Sequence, residues 1–353
     1  MNNLRSKQIP IITILGFIIP GVLLANQIIK LRRTPQLAFE YHLEYDNNIF
    51  LYSPEALEEF RNQIRAYRFP FRTHDDLIAN YKISLNFPLR ILVKRTDFTV
   101  NYTAKTYTVN TIKSYQIINP YLQVQMLPHL VFRFSYLLIP NYLIRYYKDP
   151  LSSRTQYIPC QFTEQLFTLS FRYKFSSFWI NSFIRFQLDD YIKNFNFYDG
   201  TAWRYGMQMA FPITKNTTLQ TNWERKHNNA VGPVPDISYL EDKIAYEGQI
   251  IILKKVFMST GLQYAYRQYT TTNPITIDPY HYQRKDRTYS INFNCSYQFK
   301  HNWRLVGDYL YTFRRVIAPS LIDITEIKNY NNYKITLGVN FNVSVQTRKA
   351  DEE

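Results

Sequence analysis

Hydrophobic and polar residues alternate with a period of two along most of this chain. From Leu37 to Tyr45 every second residue is aromatic or aliphatic, whereas the residues between them are mostly polar. Successive side chains of a β-strand point to opposite faces, so this pattern predicts a strand with one apolar and one polar face. The same pattern predicts fourteen strands in total, over residues 37–45, 77–85, 98–104, 122–126, 130–138, 167–173, 180–188, 203–211, 219–223, 244–252, 258–266, 289–297, 303–313 and 333–343.

The connections between these strands are alternately short and long over most of the chain. Short connections are predicted at 127–129, 175–178, 212–217, 254–256 and 300–302. Long polar ones are predicted at 46–74, 140–163, 189–200, 227–240, 269–286 and 315–332. Short turns at one end and long loops at the other are typical of transmembrane β-barrels, whereas a soluble β-sandwich needs no such asymmetry. We therefore predict an all-β fold, an antiparallel up-and-down transmembrane barrel of about 14 strands.

The alternation is irregular at two places in the first half of the chain. Lys94 occupies a position at which the alternation requires an apolar residue, which predicts a longer turn over residues 90–97. The pattern slips at Asn119 and Pro120, where a β-bulge is the expected cause because proline cannot donate a ladder hydrogen bond.

The first 25 residues are typical of a secretory signal peptide. Arg5 and Lys7 precede a continuous apolar stretch over 9–24 that ends near the small residue Ala25. An uncleaved anchor helix is the rival interpretation, but about sixteen apolar residues fall short of the roughly twenty needed to span a bilayer. We predict a cleaved leader over 1–25, a barrel over 26–345 and a polar tail over 346–353.

The composition agrees with a membrane barrel. The chain has 31 Tyr and 25 Phe, and tyrosine suits a membrane interface because its ring is apolar and its hydroxyl is hydrated. The net charge of +15 suits lipopolysaccharide phosphates or anionic solutes. Nucleic acid is not expected, since no binding motif is present and the chain is predicted to be exported. Cys160 and Cys295 have no metal or redox spacing, so neither a metal nor another cofactor is predicted.

Together, the strand pattern and the connection lengths resemble those of bacterial outer-membrane β-barrel proteins with porin-like architecture. The resemblance covers nearly the whole mature chain but no specific family motif. It implies a location in the outer membrane of a Gram-negative-type bacterium, in contact with lipid and lipopolysaccharide. The chain departs from this class at its end, where a polar tail follows Phe341 and Val343 instead of a terminal aromatic residue.

If the apolar side chains of each strand face lipid, the side chains between them, which point to the opposite face, line the lumen. The predicted basic residues of the lumen are Lys82, Lys105, Arg133, Arg172, Lys174, Arg185, Arg204, Lys226, Lys243, Arg267, Arg304, Arg314 and Lys334. The predicted acids are Glu40, Glu44, Asp46, Asp76, Asp97, Glu164, Asp189, Glu224, Glu247 and Asp308. This small positive excess predicts a mild preference for anions. Alternatively, most of these charges pair across neighbouring strands and fill the interior.

The first long loop contains a helix signal. Ser53 is a predicted N-cap, Pro54 is in the first helical position, and Leu57, Phe60 and Ile64 share one face. Tyr52 and Leu57 have the spacing of a hydrophobic staple. Such a helix either folds into the barrel and constricts the lumen or remains in an ordered surface loop.

Basic and aromatic residues also cluster in two later loops, at 145–148 and 280–287. One interpretation is a site for lipopolysaccharide phosphates or for a glycan stacked on tyrosine. An aromatic interface girdle with ordinary charges at the rim is the interpretation that we favour at this stage.

Catalysis is not predicted. His227 beside Glu224, and His74 beside Asp75 and Asp76, are the candidates for acid–base chemistry, but no nucleophile motif accompanies them. The leading functional hypothesis is a porin-like channel for passive diffusion of small hydrophilic, mildly anion-preferring solutes. The alternatives are a plugged barrel that acts as a structural anchor or secretion partner and, distantly, a barrel hydrolase.

Overall fold

The chain forms one antiparallel β-sheet that closes on itself. The computed structural model describes residues 29–31, 34–91, 93–152, 156–319 and 328–344, so the predicted leader and tail lie outside the described residues. The strands are β1 (Ile29–Leu31), β2 (Gln36–Asp46), β3 (Asp76–Ile91), β4 (Lys94–Tyr107), β5 (Tyr115–Leu127), β6 (Leu130–Lys148), β7 (Tyr157–Lys174), β8 (Trp179–Tyr191), β9 (Gly200–Pro212), β10 (Thr217–Ala230), β11 (Tyr239–Ile252), β12 (Val256–Tyr269), β13 (Lys285–Lys300), β14 (Trp303–Ile317) and β15 (Tyr330–Ser344).

Consecutive strands from β2 to β15 pair with one another, and β15 pairs with β2 to close the ring. The three residues of β1 pair with residues 89–91 of β3, beyond the end of β2. The barrel therefore has fourteen strands, and each strand predicted from the alternation lies within one of them. Closure leaves no unpaired sheet edge, which is the condition for a β-structure to cross a bilayer.

Several strands extend further than the alternation predicts. β6 and β7 cover most of the predicted long loop 140–163 and leave only residues 149–156 between them. Two register shifts in the β6–β7 pairing, at 139–142 and 143–145, absorb Pro140 and Asn141, the latter with a φ of 51°. A bulge moves the side-chain parity by one, so a strand that contains bulges no longer shows a continuous pattern.

At both irregularities predicted from the sequence, the structure differs from the expected longer turn and the expected bulge. The connection after β3 consists of residues 92–93 and is therefore a tight turn, not a longer one. No register shift occurs at Pro120; the shift in this pair of strands lies instead between Gln125 and Leu127. Asn119 Nδ2 donates a hydrogen bond of 2.8 Å to the carbonyl of Tyr136, which lies opposite Pro120, and replaces the bond that proline cannot make.

The barrel has two different ends. The loop end carries the seven longer connections, over residues 47–75, 108–114, 149–156, 192–199, 231–238, 270–284 and 318–329. The turn end carries the six short connections, over residues 92–93, 128–129, 175–178, 213–216, 253–255 and 301–302. The asymmetry predicted from the sequence is therefore present.

The outer surface of the barrel is apolar, and its inner surface is polar. Leu337 and Leu262 are 66% and 58% exposed, and the other predicted apolar positions are exposed in the same way on most strands. An apolar surface that encircles the whole molecule far exceeds what a soluble monomer exposes, and it requires lipid as its solvent. Within the described ranges, no helix is long and apolar enough to cross a membrane.

Aromatic side chains form contacts around the barrel near the turn end. The rings of Phe175 and Phe178 stack with their centroids 4.4 Å apart, and the ring of Trp303 lies 4.4 Å from that of Phe341. Rings at this level suit the membrane–water interface, because they are apolar yet tolerate hydrated neighbours.

Candidate functional site

Loop 1, residues 47–75, folds into the loop end of the barrel. Its buried residues Ile49, Phe50, Tyr52, Ala56 and Phe69 form one apolar cluster with the strand residues Ile78, Tyr107, Leu143 and Tyr146. Ile78 and Tyr107 belong to the polar parity of their strands, so these residues face the interior. Loop 1 therefore packs against the inner wall and occupies part of the lumen.

The predicted helix in loop 1 is α1 (Pro54–Arg61). The hydroxyl of Ser53 accepts a hydrogen bond of 3.2 Å from the backbone N–H of Ala56, as the N-cap prediction requires. Leu57 and Phe60 pack against the loop-1 cluster. The prediction is wrong for Ile64, which lies beyond the end of α1 and is 50% exposed, because the helix stops at Arg61 before its apolar face makes another turn.

A buried network fixes the start of loop 1 to the barrel wall. The Asn48 side chain accepts a hydrogen bond from the backbone N–H of Tyr52 and donates to the carbonyls of Tyr52 and Asn331. Asn332 donates to the Asp46 carboxylate and to the Asn48 carbonyl. Asn48 is completely buried, so each of these bonds replaces one that water would otherwise make.

Lys113, in the connection after β4, is buried behind loop 1. Its ammonium donates hydrogen bonds to the carbonyls of Leu143 and Ile144 and lies 5.2 Å from the ring centres of both Phe50 and Tyr142. Burial lowers the pKa of Lys113 to about 7, since the charged form loses its hydration.

The lowered pKa of Lys113 predicts a pH-dependent stability. In the unfolded chain the lysine has an ordinary pKa near 10.5, so between pH 7 and 10.5 the unfolded state binds more protons than the folded state. The free energy of unfolding should therefore rise with pH across that window, by at most about 1.4 kcal/mol per pH unit. Urea unfolding in detergent at pH 7.5 and 9.5 would measure the rise. In Lys113→Met the rise should shrink, and an unchanged rise would contradict the assignment to Lys113.

Seven of the predicted basic residues of the lumen form ion pairs. Lys82 contacts Glu40 at 2.7 Å, directly across the β2–β3 register. Lys105 and Lys334 both contact Glu44, at 2.9 and 3.1 Å, although they lie on different strands. The remaining pairs are Arg185 and Arg204 with Glu224, Arg267 with Glu241, and Arg314 with Asp286.

The other predicted basic residues have neutral partners or none. Arg133 lies 3.8 Å from the ring centre of Tyr121, Arg172 lies over Trp179, Arg304 over Phe257, and Lys226 over Tyr239. Within the described ranges, the side chains of Lys174 and Lys243 make no ion pair with an acid. Arg133, Arg172, Lys174 and Arg304 all lie towards the turn end, and none of the four forms an ion pair with a described acid.

Two of the cavities that the described residues form lie at the inner face of the barrel. The smaller, of about 310 Å³, is lined by His42, Glu44, Asn80, Asp308 and Lys334, with residues from five further positions of β13 to β15. The larger, of about 660 Å³, lies at the loop end, and we call it the loop-end cavity. It is lined by loop 1, by residues of β6 to β12 and of β14, and by the later connections.

The two basic–aromatic clusters predicted as a rim girdle are partly internal. Arg145 and Arg284 are only 7% and 3% exposed, and both line the loop-end cavity with Tyr147 and Tyr280. The girdle interpretation is therefore wrong for these two arginines. Basic and aromatic residues are interleaved in both clusters, so the sequence indicated a binding surface. The alternation could not show that these two arginines lie inside the barrel.

The histidine candidates for catalysis contact groups other than their proposed partners. His227 is exposed and stacks on Tyr205, on the outer face of β10, whereas Glu224 is buried on the inner face. His74 Nδ1 contacts the carbonyl of Asn47, and the Asp76 carboxylate is occupied by the residues 108–110. In the part of the chain that the structure describes, no group of histidine, cysteine or acidic residues could hold a metal ion.

Comparisons with known proteins give similarity of overall shape only. No protein-family model matches the chain, and no curated protein matches it. Among solved structures, the outer membrane channel DcaP of Acinetobacter baumannii is 8% identical with a TM-score of 0.49, over 90% of this chain and 98% of that one. An anion-selective porin from Comamonas acidovorans is 6% identical with a TM-score of 0.43, over 89% and 99%. A bacterial polysaccharide outer membrane secretin is 7% identical with a TM-score of 0.47, over 86% and 98%.

The geometry of this chain itself defines its class. The sheet is closed and antiparallel, its outer surface is apolar around the whole circumference, and its polar residues face an interior that contains cavities. Long connections at one end and short turns at the other complete the pattern of this class. The protein is therefore a transmembrane β-barrel.

Proposed function

We propose that this protein is a porin-like channel through which small hydrophilic solutes diffuse passively, with a mild preference for anions. The observation that carries the proposal is the polar inner face, which surrounds cavities at the loop end and in the middle of the barrel. A polar, partly empty interior supports diffusion of hydrated solutes. The outer surface would contact lipid and, near the loop end, lipopolysaccharide.

Loop 1 is the proposed constriction. Ser53, Leu57 and Phe60 fix α1 against the loop-1 cluster, which leaves the exposed face of the helix directed away from the wall. A loop held by an apolar cluster and a buried hydrogen-bond network has a defined position, so the width that it leaves for solutes is also defined.

The proposed anion preference arises at the two ends of the lumen. Lys82, Lys105 and Lys334 are balanced by acids within 3.1 Å, so they add little net field. Near the turn end, Arg133, Arg172 and Arg304 have aromatic rings as neighbours, and none of the three forms an ion pair within the described residues. Uncancelled charge at a pore mouth raises the local concentration of the opposite ion.

Recording from the purified protein in a planar bilayer with a salt gradient tests the proposal. We expect steady single-channel currents and a reversal potential that favours chloride. A barrel that is folded but silent would contradict the channel and would favour the alternative, a plugged barrel that serves as an anchor or secretion partner.

Neutralising the turn-end arginines should change the selectivity. In the triple variant Arg133→Gln, Arg172→Gln, Arg304→Gln, the reversal potential should move towards cations by several millivolts or more, because three uncancelled charges are removed. The matched control is the double variant Glu40→Gln, Lys82→Gln, which removes an ion pair without changing the net charge. An equal shift in the control, or none in the triple variant, would mean that the arginines do not face the solute path.

A further inference from the structure

Four basic side chains from distant parts of the chain meet at the loop-end cavity. Arg145 comes from β6, Arg284 from the connection before β13, Arg314 from β14 and Lys328 from the residues before β15. Lys328 has a pKa well below its usual range because it is buried and because Arg145, Arg284 and Arg314 lie close enough to repel its charge. The four residues, which we call the cationic cluster, thus form one electrostatic unit.

The acids of the protein balance this cluster only in part. Arg284 makes two hydrogen bonds of 2.7 Å to Asp286, and Arg314 lies 3.8 Å from the same carboxylate. Within the described residues, neither Arg145 nor Lys328 forms an ion pair. Among the described residues that line the cavity, Asp189 is the only acid, whereas Arg68, Lys148 and Arg267 also line it. Arg68 and Arg267 are paired with Glu59 and Glu241, so, counted over the described residues alone, a positive excess remains at the cluster.

Two buried polar groups at this cavity have no hydrogen-bond partner. The Nε of Arg145 and the hydroxyl of Tyr52 are both inaccessible and unpaired within the described part of the chain. Tyr52 is 6% exposed and Arg145 is 7% exposed, and both residues line the cavity. Because buried donors are almost always satisfied, an unpaired guanidinium N–H on a residue that lines the cavity points to an acceptor supplied by a ligand.

Aromatic rings form the walls beside the cluster. The ring centre of Tyr147 lies 6.0 Å from the Arg145 guanidinium and 5.6 Å from the Lys328 ammonium. Arg284 lies 4.6 Å from the ring centre of Tyr269, and Tyr198 lines the same space. Tyrosine offers an apolar ring face together with a hydroxyl, a combination that matches a sugar ring with its apolar C–H face and its hydroxyl rim.

We propose that the loop-end cavity binds a small sugar that carries a phosphate group, with the phosphate at the cationic cluster and the sugar ring against the tyrosines. A phosphate monoester carries up to two negative charges and matches the fork of a guanidinium, so it suits this positive excess better than a single carboxylate. The volume of about 660 Å³ lies in the range of small-molecule sites. The proposal deepens the proposed function, and rests on it only for the passage of the bound sugar into the lumen.

Calorimetric titration of the folded protein in detergent tests the binding. Glucose 6-phosphate is the probe, and glucose, glucuronate and inorganic phosphate are the comparison ligands. We expect glucose 6-phosphate to bind at least tenfold more tightly than each of the other three. Equal affinity for glucose would overturn the role of the cluster, equal affinity for glucuronate would overturn the choice of a phosphate, and equal affinity for inorganic phosphate would overturn the role of the sugar ring.

Variants assign the binding to the cluster. Arg145→Gln and Lys328→Gln should each weaken the binding of glucose 6-phosphate at least tenfold. Two positions are used because Arg145 also donates a hydrogen bond to the Leu51 carbonyl, and its loss alone could disturb loop 1. The control is Arg287→Gln, an exposed arginine outside the cavity, which should leave the affinity within twofold. Undiminished binding by folded Lys328→Gln would overturn the proposal.

Bilayer recordings with glucose 6-phosphate on the loop side separate this proposal from the channel function. Transient block of the current at millimolar concentration would support both. Open channels that the sugar phosphate does not block, combined with no calorimetric binding, would overturn the site and leave the channel intact. Binding by a barrel without conductance would uphold the site and overturn the channel.

Discussion

Arginine in place of Leu337 should strongly destabilise the folded barrel in a bilayer. Leu337 lies in the middle of β15, on the outer face, and is 66% exposed. A charged side chain at the lipid-facing midplane of a barrel costs about 2–4 kcal/mol, because the guanidinium must remain hydrated inside the hydrocarbon layer. Against an overall stability of roughly 5–15 kcal/mol, that loss is large.

Thr336→Arg is the matched control for this substitution. Thr336 is the preceding residue of β15, points into the lumen and pairs in register with Glu44 and Asp308. An arginine there would meet two acids and water, so the variant should fold nearly as well as the original protein. Refolding yield in lipid vesicles and urea midpoints would measure both. Equal losses at the two positions would contradict the assignment of the outer face to lipid.

Replacing Asn48 with alanine should release loop 1 and raise the single-channel conductance severalfold. The substitution removes three hydrogen bonds to buried backbone groups of Tyr52 and Asn331. Each bond contributes about 1 kcal/mol, and the buried groups that lose their partners add a desolvation cost. The start of loop 1 would then be held to β15 by fewer bonds, and the loop could leave the lumen.

Glu58→Gln is the control for the release of loop 1. Glu58 is exposed on α1, so its substitution should leave the position of the loop and the conductance unchanged. Limited proteolysis gives a second measurement, since a released loop should be cut faster between residues 51 and 71. Unchanged conductance and unchanged cleavage in Asn48→Ala would show that loop 1 does not constrict the lumen.

The strands were predictable because their signal is local. In a β-strand the parity of a side chain decides which face it occupies, and lipid on one face with water on the other makes that parity visible in the sequence. The prediction from the alternation was wrong where the backbone changed register. At Asn141, where a bulge moves the parity, the sequence indicated a loop although the strand continues.

Partners across the barrel were much less predictable. Arg133 and Arg204 look alike in the alternation, yet Arg133 lies on a tyrosine ring and Arg204 is 3.5 Å from Glu224. The difference depends on the register between neighbouring strands, and no alternation pattern contains that register. The formal excess of positive charge could therefore be counted from the sequence, but not its concentration at the two ends of the lumen.

The sequence by itself determined the fourteen strands, their two faces, the asymmetry of the connections and the N-cap of α1, because each follows from residues that are close in the chain. Only the tertiary structure decided that loop 1 lies inside the barrel and that Arg145, Arg284, Arg314 and Lys328 line one cavity. These residues are up to 183 positions apart in the chain, as their numbers show. Closure of the sheet brings them together, and closure is a property of the whole ring of strands rather than of any segment.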